Sequence, residues 1–268
     1  MRAFRQILVV IAILAACTAS VARAEPTQLR LAGTGSVTEL LKRLAAAFQA
    51  QNKVQINVVA SLGSSGALRA LQDDALDVAV SGRPLKPEES KTLKVALTLS
   101  TSFVFVTSKP ASNDLTVAAV VEAYRRADAQ WHDGTPIKVI LRPRSESDTL
   151  LMGELFPGLA GAIETARKRE DIPIAATDQD NADLAEQIPG SLTGSTLTQI
   201  LLEKRRLHAV PIESVAPSLA TLQDGTYRYR KSLFFVIGST PSPLADRFLQ
   251  FILSPEGQQI LRDAAVSM

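Results

Sequence analysis

The run "ALTLSTSFVFVTS" at residues 96–108 decides the fold. Its β-branched and aromatic residues suit a pleated surface, and it is about twice as long as an ordinary strand. The length predicts a strand that leaves one sheet and enters a second. A matching run, "TYRYRKSLFFVIG", occupies residues 226–238. Between the two lies a block of alternating strand and helix patterns. The chain is therefore expected to cross twice between two α/β lobes, lobe one at 25–102 plus 232–268 and lobe two at 103–231. A cleft between such lobes, at the carboxyl ends of strands, is the usual seat of a small ligand.

Working outward, "TQLRLAG" (27–33), "VQINVVA" (54–60) and "LDVAVSG" (76–82) read as strands. Val37, Leu40, Leu41, Leu44 and Phe48 recur at helical spacing, and Ala67, Leu68 and Leu71 mark a shorter helix. The nearly continuous apolar character of the third strand suits a parallel sheet buried on both faces, joined by right-handed crossovers. In lobe two, "VAAVVEAYRRA" (117–127) reads as a helix with Thr116 as its N-cap, and "IKVILRP" (137–143) as a strand. Helices are expected at 147–156, 158–170 and 181–188, a loop over "PGSLTGST" (189–196), and a strand at 206–212. Two helices, 243–254 and 255–265, follow the second long run, with Pro255 at the start of the latter.

The N-terminal residues read differently. A basic start with Arg2 and Arg5, an apolar run "ILVVIAILAA" and the small-residue end Ala22-Arg23-Ala24 are the marks of a secretory signal peptide at 1–24. The competing cut, "LAAC" at 14–17, resembles a lipobox that would lipidate Cys17. Cleavage after Ala24 removes three arginines and no acid, so the formal charge of +2 becomes −1. A basic nucleic-acid-binding surface is not supported. Cys17 is the single cysteine, which leaves no internal disulfide or thiol chemistry in residues 25–268, and two histidines leave little for a zinc site. These features point to a soluble exported protein without metal or other cofactor.

Four strand-to-helix junctions carry small or hydroxyl residues: Thr34-Gly35-Ser36, Gly63-Ser64-Ser65-Gly66, Ser81-Gly82-Arg83-Pro84, and Arg142 followed by Ser147-Asp148-Thr149. Helix starts offer unpaired N–H groups and partial positive charge. Gly admits a ligand to the backbone, and Ser and Thr add donors. One such start is ordinarily plain capping. Four at the same end of the strands, with Arg83 and Arg142 available as guanidinium forks, make an oxyanion site. Neither "GTGS" nor "GSSG" fits a nucleotide loop, and no G-x-S-x-G elbow is present. His132 and His208 both read as structural, so a serine hydrolase lacks its base.

On "LAGTGSVTELLKRLAAAF", "SLGSSGALRAL", "LDVAVSGRPLKPEE", "RPRSESDT" and "FLQFILSPEGQQIL", the sequence resembles the bacterial periplasmic phosphate-binding proteins, the substrate-binding components of phosphate ABC transporters. The resemblance implies the two-lobed periplasmic-binding-protein fold of type II, closing on an anion between lobes joined by two crossing strands. It implies ligand contacts at Thr34, Gly35, Ser36, Ser64, Ser65, Gly66, Ser81, Arg83, Arg142, Ser147, Asp148 and Thr149. Where the family often has an Asp that accepts a hydrogen bond from a protonated phosphate, this chain has Gly82, and Asp148 is the candidate substitute.

The implied function is capture of phosphate or a similar tetrahedral oxyanion by a non-enzymatic monomer that serves an inner-membrane ABC permease. The alternatives are an oxyanion-sensing partner of a membrane kinase, or a receptor for sulfate, molybdate or arsenic oxyanions. An exported serine hydrolase and a ligand-free structural protein complete the set.

Overall fold

The computed structural model describes residues 27–110 and 114–268, so the expected signal peptide and Cys17 lie outside the described residues. Strands β1 (Gln28–Gly33), β2 (Gln55–Val59) and β3 (Val78–Ser81) are connected by helices α1 (Thr38–Gln51) and α2 (Gly63–Gln72). β1 pairs in parallel with both β2 and β3, as the apolar patterns predict.

The long run forms β4 (Leu93–Thr107), and it is shared by two sheets. Residues Leu93 to Ser102 pair antiparallel with β8 (Arg230–Gly238). Residues Phe103 to Thr107 pair with β6 (Ser191–Thr196) and β7 (His208–Val210). The apolar residues of β4 divide accordingly. Leu99 belongs to a core with Leu31, Leu40, Phe48, Val80 and Phe248, whereas Phe103 and Phe105 join Tyr124, Trp131 and Phe156. Each buried Leu or Phe stabilises its core by about 1.5–3 kcal/mol. β3 lies antiparallel to β8, so the first sheet is closed by a strand from far along the chain. Short β9 (Val266–Ser267) adds to β4 at Ser100 and Thr101.

In lobe two, helices α3 (Val117–Arg125), α4 (Ser147–Leu155), α5 (Leu159–Ala166), α6 (Asp178–Gln187) and α7 (Leu197–Leu202) surround β5 (Lys138–Val139) and β6. Thr116 caps α3 as expected, accepting from the Ala119 N–H at 3.1 Å. Short α8 (Leu219–Gln223) precedes β8, and α9 (Pro243–Leu253) and α10 (Pro255–Asp263) follow it.

Two sequence expectations need correction. The segment 191–196 is not a loop: it is β6, buried at all six positions, parallel to β5 and antiparallel to β4. Its hydroxyls are satisfied inside the protein, Ser191 Oγ donating to Ala185 O at 2.7 Å and Thr193 Oγ1 to Asn181 Oδ1 at 2.8 Å. Gly194 is there because the Phe103 ring leaves no room for a side chain; a Cβ would lie 2.6 Å from Phe103 Cζ. Gly194→Ala should therefore cost about 1–3 kcal/mol in denaturant unfolding, the usual range for overpacking. Second, the helix expected at 181–188 starts three residues earlier, at Asp178, on a capping box between Thr177 and Asp180.

Candidate anion-binding site

Three turns of lobe one face the cleft. After β1 the chain enters a single 3-10 turn, Gly35–Val37, which leads into α1. Thr34 is held by its N–H to Val80 O at 2.9 Å, which leaves the Ser36 N–H free to donate outward. After β3, the Gly82 N–H donates to Ser64 Oγ at 2.9 Å, so the second and third junctions are tied together. Ser64 and Ser65 do not cap α2 with their side chains. Ser64 is buried against Gly82, and Ser65 accepts from Arg83 Nη2 at 3.1 Å.

Lobe two contributes Arg142, buried and only 6 % exposed. Residues 141 and 174 form a parallel bridge, which brings the chain after β5 beside the start of α6. Arg142 Nε donates to Ala175 O at 3.1 Å, and Nη1 donates to Asp178 Oδ1 at 2.7 Å. The other oxygen of Asp178 accepts the Ser36 N–H at 2.9 Å, with Thr34 Oγ1 3.5 Å away. The Asp178 carboxylate thus lies between the first turn of lobe one and the Arg142 fork. Gly35 makes the approach possible, since a Cβ there would meet Asp178 Oδ2 at 2.6 Å. Next to it, Gln179 Nε2 donates to Gly35 O at 3.0 Å.

Beneath this contact is a fully buried lysine. Lys231, on β8, pairs with Asp148 of α4 and donates to Ser36 Oγ at 3.2 Å. Its stem fills the space beside Gly82, where a Cβ would meet Lys231 Cε at 2.8 Å. Glu146 completes the network: it accepts from Ser147 Oγ at 3.1 Å and from the Asp148 N–H at 2.7 Å, and lies 3.7 Å from Arg142 Nη2. Burial would raise Asp178, but Lys231, Arg142 and the Ser36 N–H outweigh it and hold the carboxylate below its ordinary range. For Asp148, burial together with Glu146 and Asp178 prevails over Lys231 and pushes the carboxyl up to about 6. Burial would lower Lys231, yet Asp148, Asp178 and Glu146 reverse this, so the ammonium stays charged.

The structure sorts the twelve expected contacts. Thr34, Gly35, Ser36, Ser64, Arg142, Ser147 and Asp148 converge, with Ser64 Oγ and Ser147 Oγ meeting across the cleft at 3.5 Å. Ser65, Gly66 and Arg83 line the outer cleft, a space of about 460 Å³. Arg83 is no spare clamp, because Glu89 takes both of its terminal nitrogens at 2.8 and 2.9 Å. Ser81 is buried in its own turn, donating to Arg83 O at 2.7 Å. Thr149 points away from the cleft, toward a small void beside Tyr124, Met152 and Thr193. Asp148 is no free acceptor either, its charge being committed to Lys231. His132 and His208 do not line the cleft. Among the described residues no cluster of His, Cys, Asp or Glu is placed to hold a metal, and no helix is long and apolar enough to cross a membrane.

Asp178, Gln179 and Lys231 escaped the sequence reading. The signals were present: Thr177 and Asp180 stand at capping-box spacing, and Lys231 alternates with Leu233, Phe235 and Ile237, an inward-facing register in which a lysine is out of place.

Two α/β lobes joined through the long strand β4, with helix starts and a buried guanidinium turned into the cleft, have the plan of a two-lobed solute-binding protein. The chain belongs to the PBP superfamily, whose domain matches residues 20–256. The phosphate-binding protein PstS 2 of Streptococcus pneumoniae is 27 % identical over 105 residues, 39 % of this chain and 36 % of the relative, so the alignment spans about a third of that protein's length. Among solved structures, one from Clostridium perfringens, described as a phosphate ABC transporter substrate-binding protein with bound phosphate, aligns at a TM-score of 0.74 with 19 % identity. It covers 90 % of this chain and 98 % of that one. The periplasmic molybdate-binding protein of Azotobacter vinelandii aligns at 0.61 with 13 % identity, over 90 % and 99 % of the two chains. These structural likenesses show the type II binding-protein fold.

Proposed function

We propose that the chain is an extracytoplasmic receptor that captures phosphate or a related tetrahedral oxyanion and delivers it to an ABC permease. One observation carries this reading: the Ser36 N–H, the Thr34 hydroxyl and the buried Arg142 guanidinium converge on one anionic group at the meeting of the lobes. Such donors, fixed before the ligand arrives, suit an oxyanion. Ligand contacts to both lobes stabilise the closed state and give the permease a liganded shape to read. The family is one of binding proteins, and the cleft acts as a receptor without catalysis or cofactor.

A second reading, a fully ionised oxyanion such as sulfate or molybdate, draws on Gly82. The phosphate group often carries an Asp at that junction, and here the stem of Lys231 takes up the space. A melting-temperature panel of phosphate, arsenate, sulfate and molybdate separates the two. At a hundredfold excess over Kd, binding stabilises by about 2.7 kcal/mol, or roughly 5–10 °C for a chain of this size. Phosphate and arsenate should give that rise and sulfate little. A rise with molybdate or sulfate alone would transfer the assignment to the second reading, and no rise with any of them would remove both.

A further inference from the structure

The place where an oxyanion is expected already contains an anion. Asp178 is 5 % exposed, and its two oxygens engage the Ser36 N–H of lobe one and the Arg142 guanidinium of lobe two. Its position at the start of α6 adds that helix's own positive end to the cradle. Its neighbour Gln179 reinforces the contact by bonding Gly35 O, also across the lobes. The buried network holds two cations, Arg142 and Lys231, against three carboxylates, Asp148, Asp178 and Glu146, so both cations already have anionic partners.

We infer that Asp178 is an intramolecular ligand: it occupies the cradle, holds the lobes together in the absence of solute, and must be displaced before a solute anion can bind. The inference rests on the cradle being the anion site, as in the proposed function. It accounts for the direct contact of the lobes at Ser36–Asp178 and Ser64–Ser147. It also sets a condition on the solute. A successful anion replaces a carboxylate that is tethered to the protein, so it must offer more acceptor oxygens or more charge than a carboxylate does. Apparent affinity is reduced by the fraction of molecules in the latched state.

Calorimetry with inorganic phosphate, sulfate and molybdate, paired with small-angle scattering of the anion-free protein, tests this. Asp178→Ala empties the cradle, and Asp178→Asn keeps the size and the helix position should the alanine variant fold poorly. The expected result is a wild-type protein that is equally compact with and without anion. The anion-free variants should be more expanded, become compact on adding anion, and bind it about tenfold more tightly or better. Weaker binding in both variants would make Asp178 a ligand contact and overturn the latch. Unchanged affinity with unchanged compactness would overturn it as well, while leaving the receptor reading intact. Expansion of the variants with no binding of any of the three anions would show that Asp178 holds the lobes together, but would overturn both its displacement by solute and the oxyanion reading.

Discussion

Lys231→Met is expected to destabilise the folded chain by about 3–5 kcal/mol, a fall in melting temperature of roughly 6–20 °C. The effect does not come from losing a favourable contact. Lys231 is fully buried, and its partner Asp148 is 2 % exposed. Removing the ammonium leaves a carboxylate in a dry site beside two others, Glu146 and Asp178, with only Arg142 to balance them. The same logic predicts partial recovery in the double variant Lys231→Met/Asp148→Leu, because replacing both members of a buried pair with apolar residues is often close to neutral. Thermal unfolding of the two single variants and the double variant completes the cycle. Near-additive losses would show that the lysine and the aspartate act independently, contrary to the pairing described above.

Arg142→Lys is expected to weaken oxyanion binding by about 30- to 5000-fold, the range for truncating one partner of a buried, hydrogen-bonded charge pair. Arg142 uses its fork in two directions: Nε fixes the chain at Ala175, and Nη1 reaches the anion position. A lysine keeps the charge, but its single ammonium cannot make both contacts in a plane. Calorimetry with phosphate measures the loss. An affinity within a few-fold of wild type would mean that the guanidinium serves the lobe structure and not the solute. The parallel change Arg83→Lys is a control from the same cleft, since Glu89 already binds that guanidinium and little binding energy depends on it.

The two-lobed plan was legible because its decisive elements are written in residues with a strong local preference. The 96–108 run is long, β-branched and aromatic, and no helix or loop competes for it. β6 was not legible for the opposite reason. Ser, Leu, Thr, Gly, Ser and Thr have a loop's composition, and only burial between β4 and β5, with every hydroxyl finding an internal partner, makes a strand of them. The site divides in the same way. Thr34, Ser36, Ser64 and Arg142 stand at strand ends, where local rules apply. Asp178 and Lys231 owe their roles to Ser36 and Asp148, residues far away in the chain, and no local pattern announces such a pairing. That Thr149 turns toward the interior of lobe two and not the cleft depends on the exact start of α4, which lies at Ser147 with Glu146 as its cap. One residue of phase around a helix decides which side chain meets the cleft.

The return of β8 to lobe one bears on how the chain folds. β3 needs β8 as its neighbour, Ala79 lying opposite Val236. All of lobe two is made between those residues. A polypeptide emerging with its N-terminus first can form α1 and the β1–β2 pair, but the lobe-one sheet stays open along β3 until β8 arrives. Such non-local pairing slows folding and leaves an unpaired strand edge exposed meanwhile.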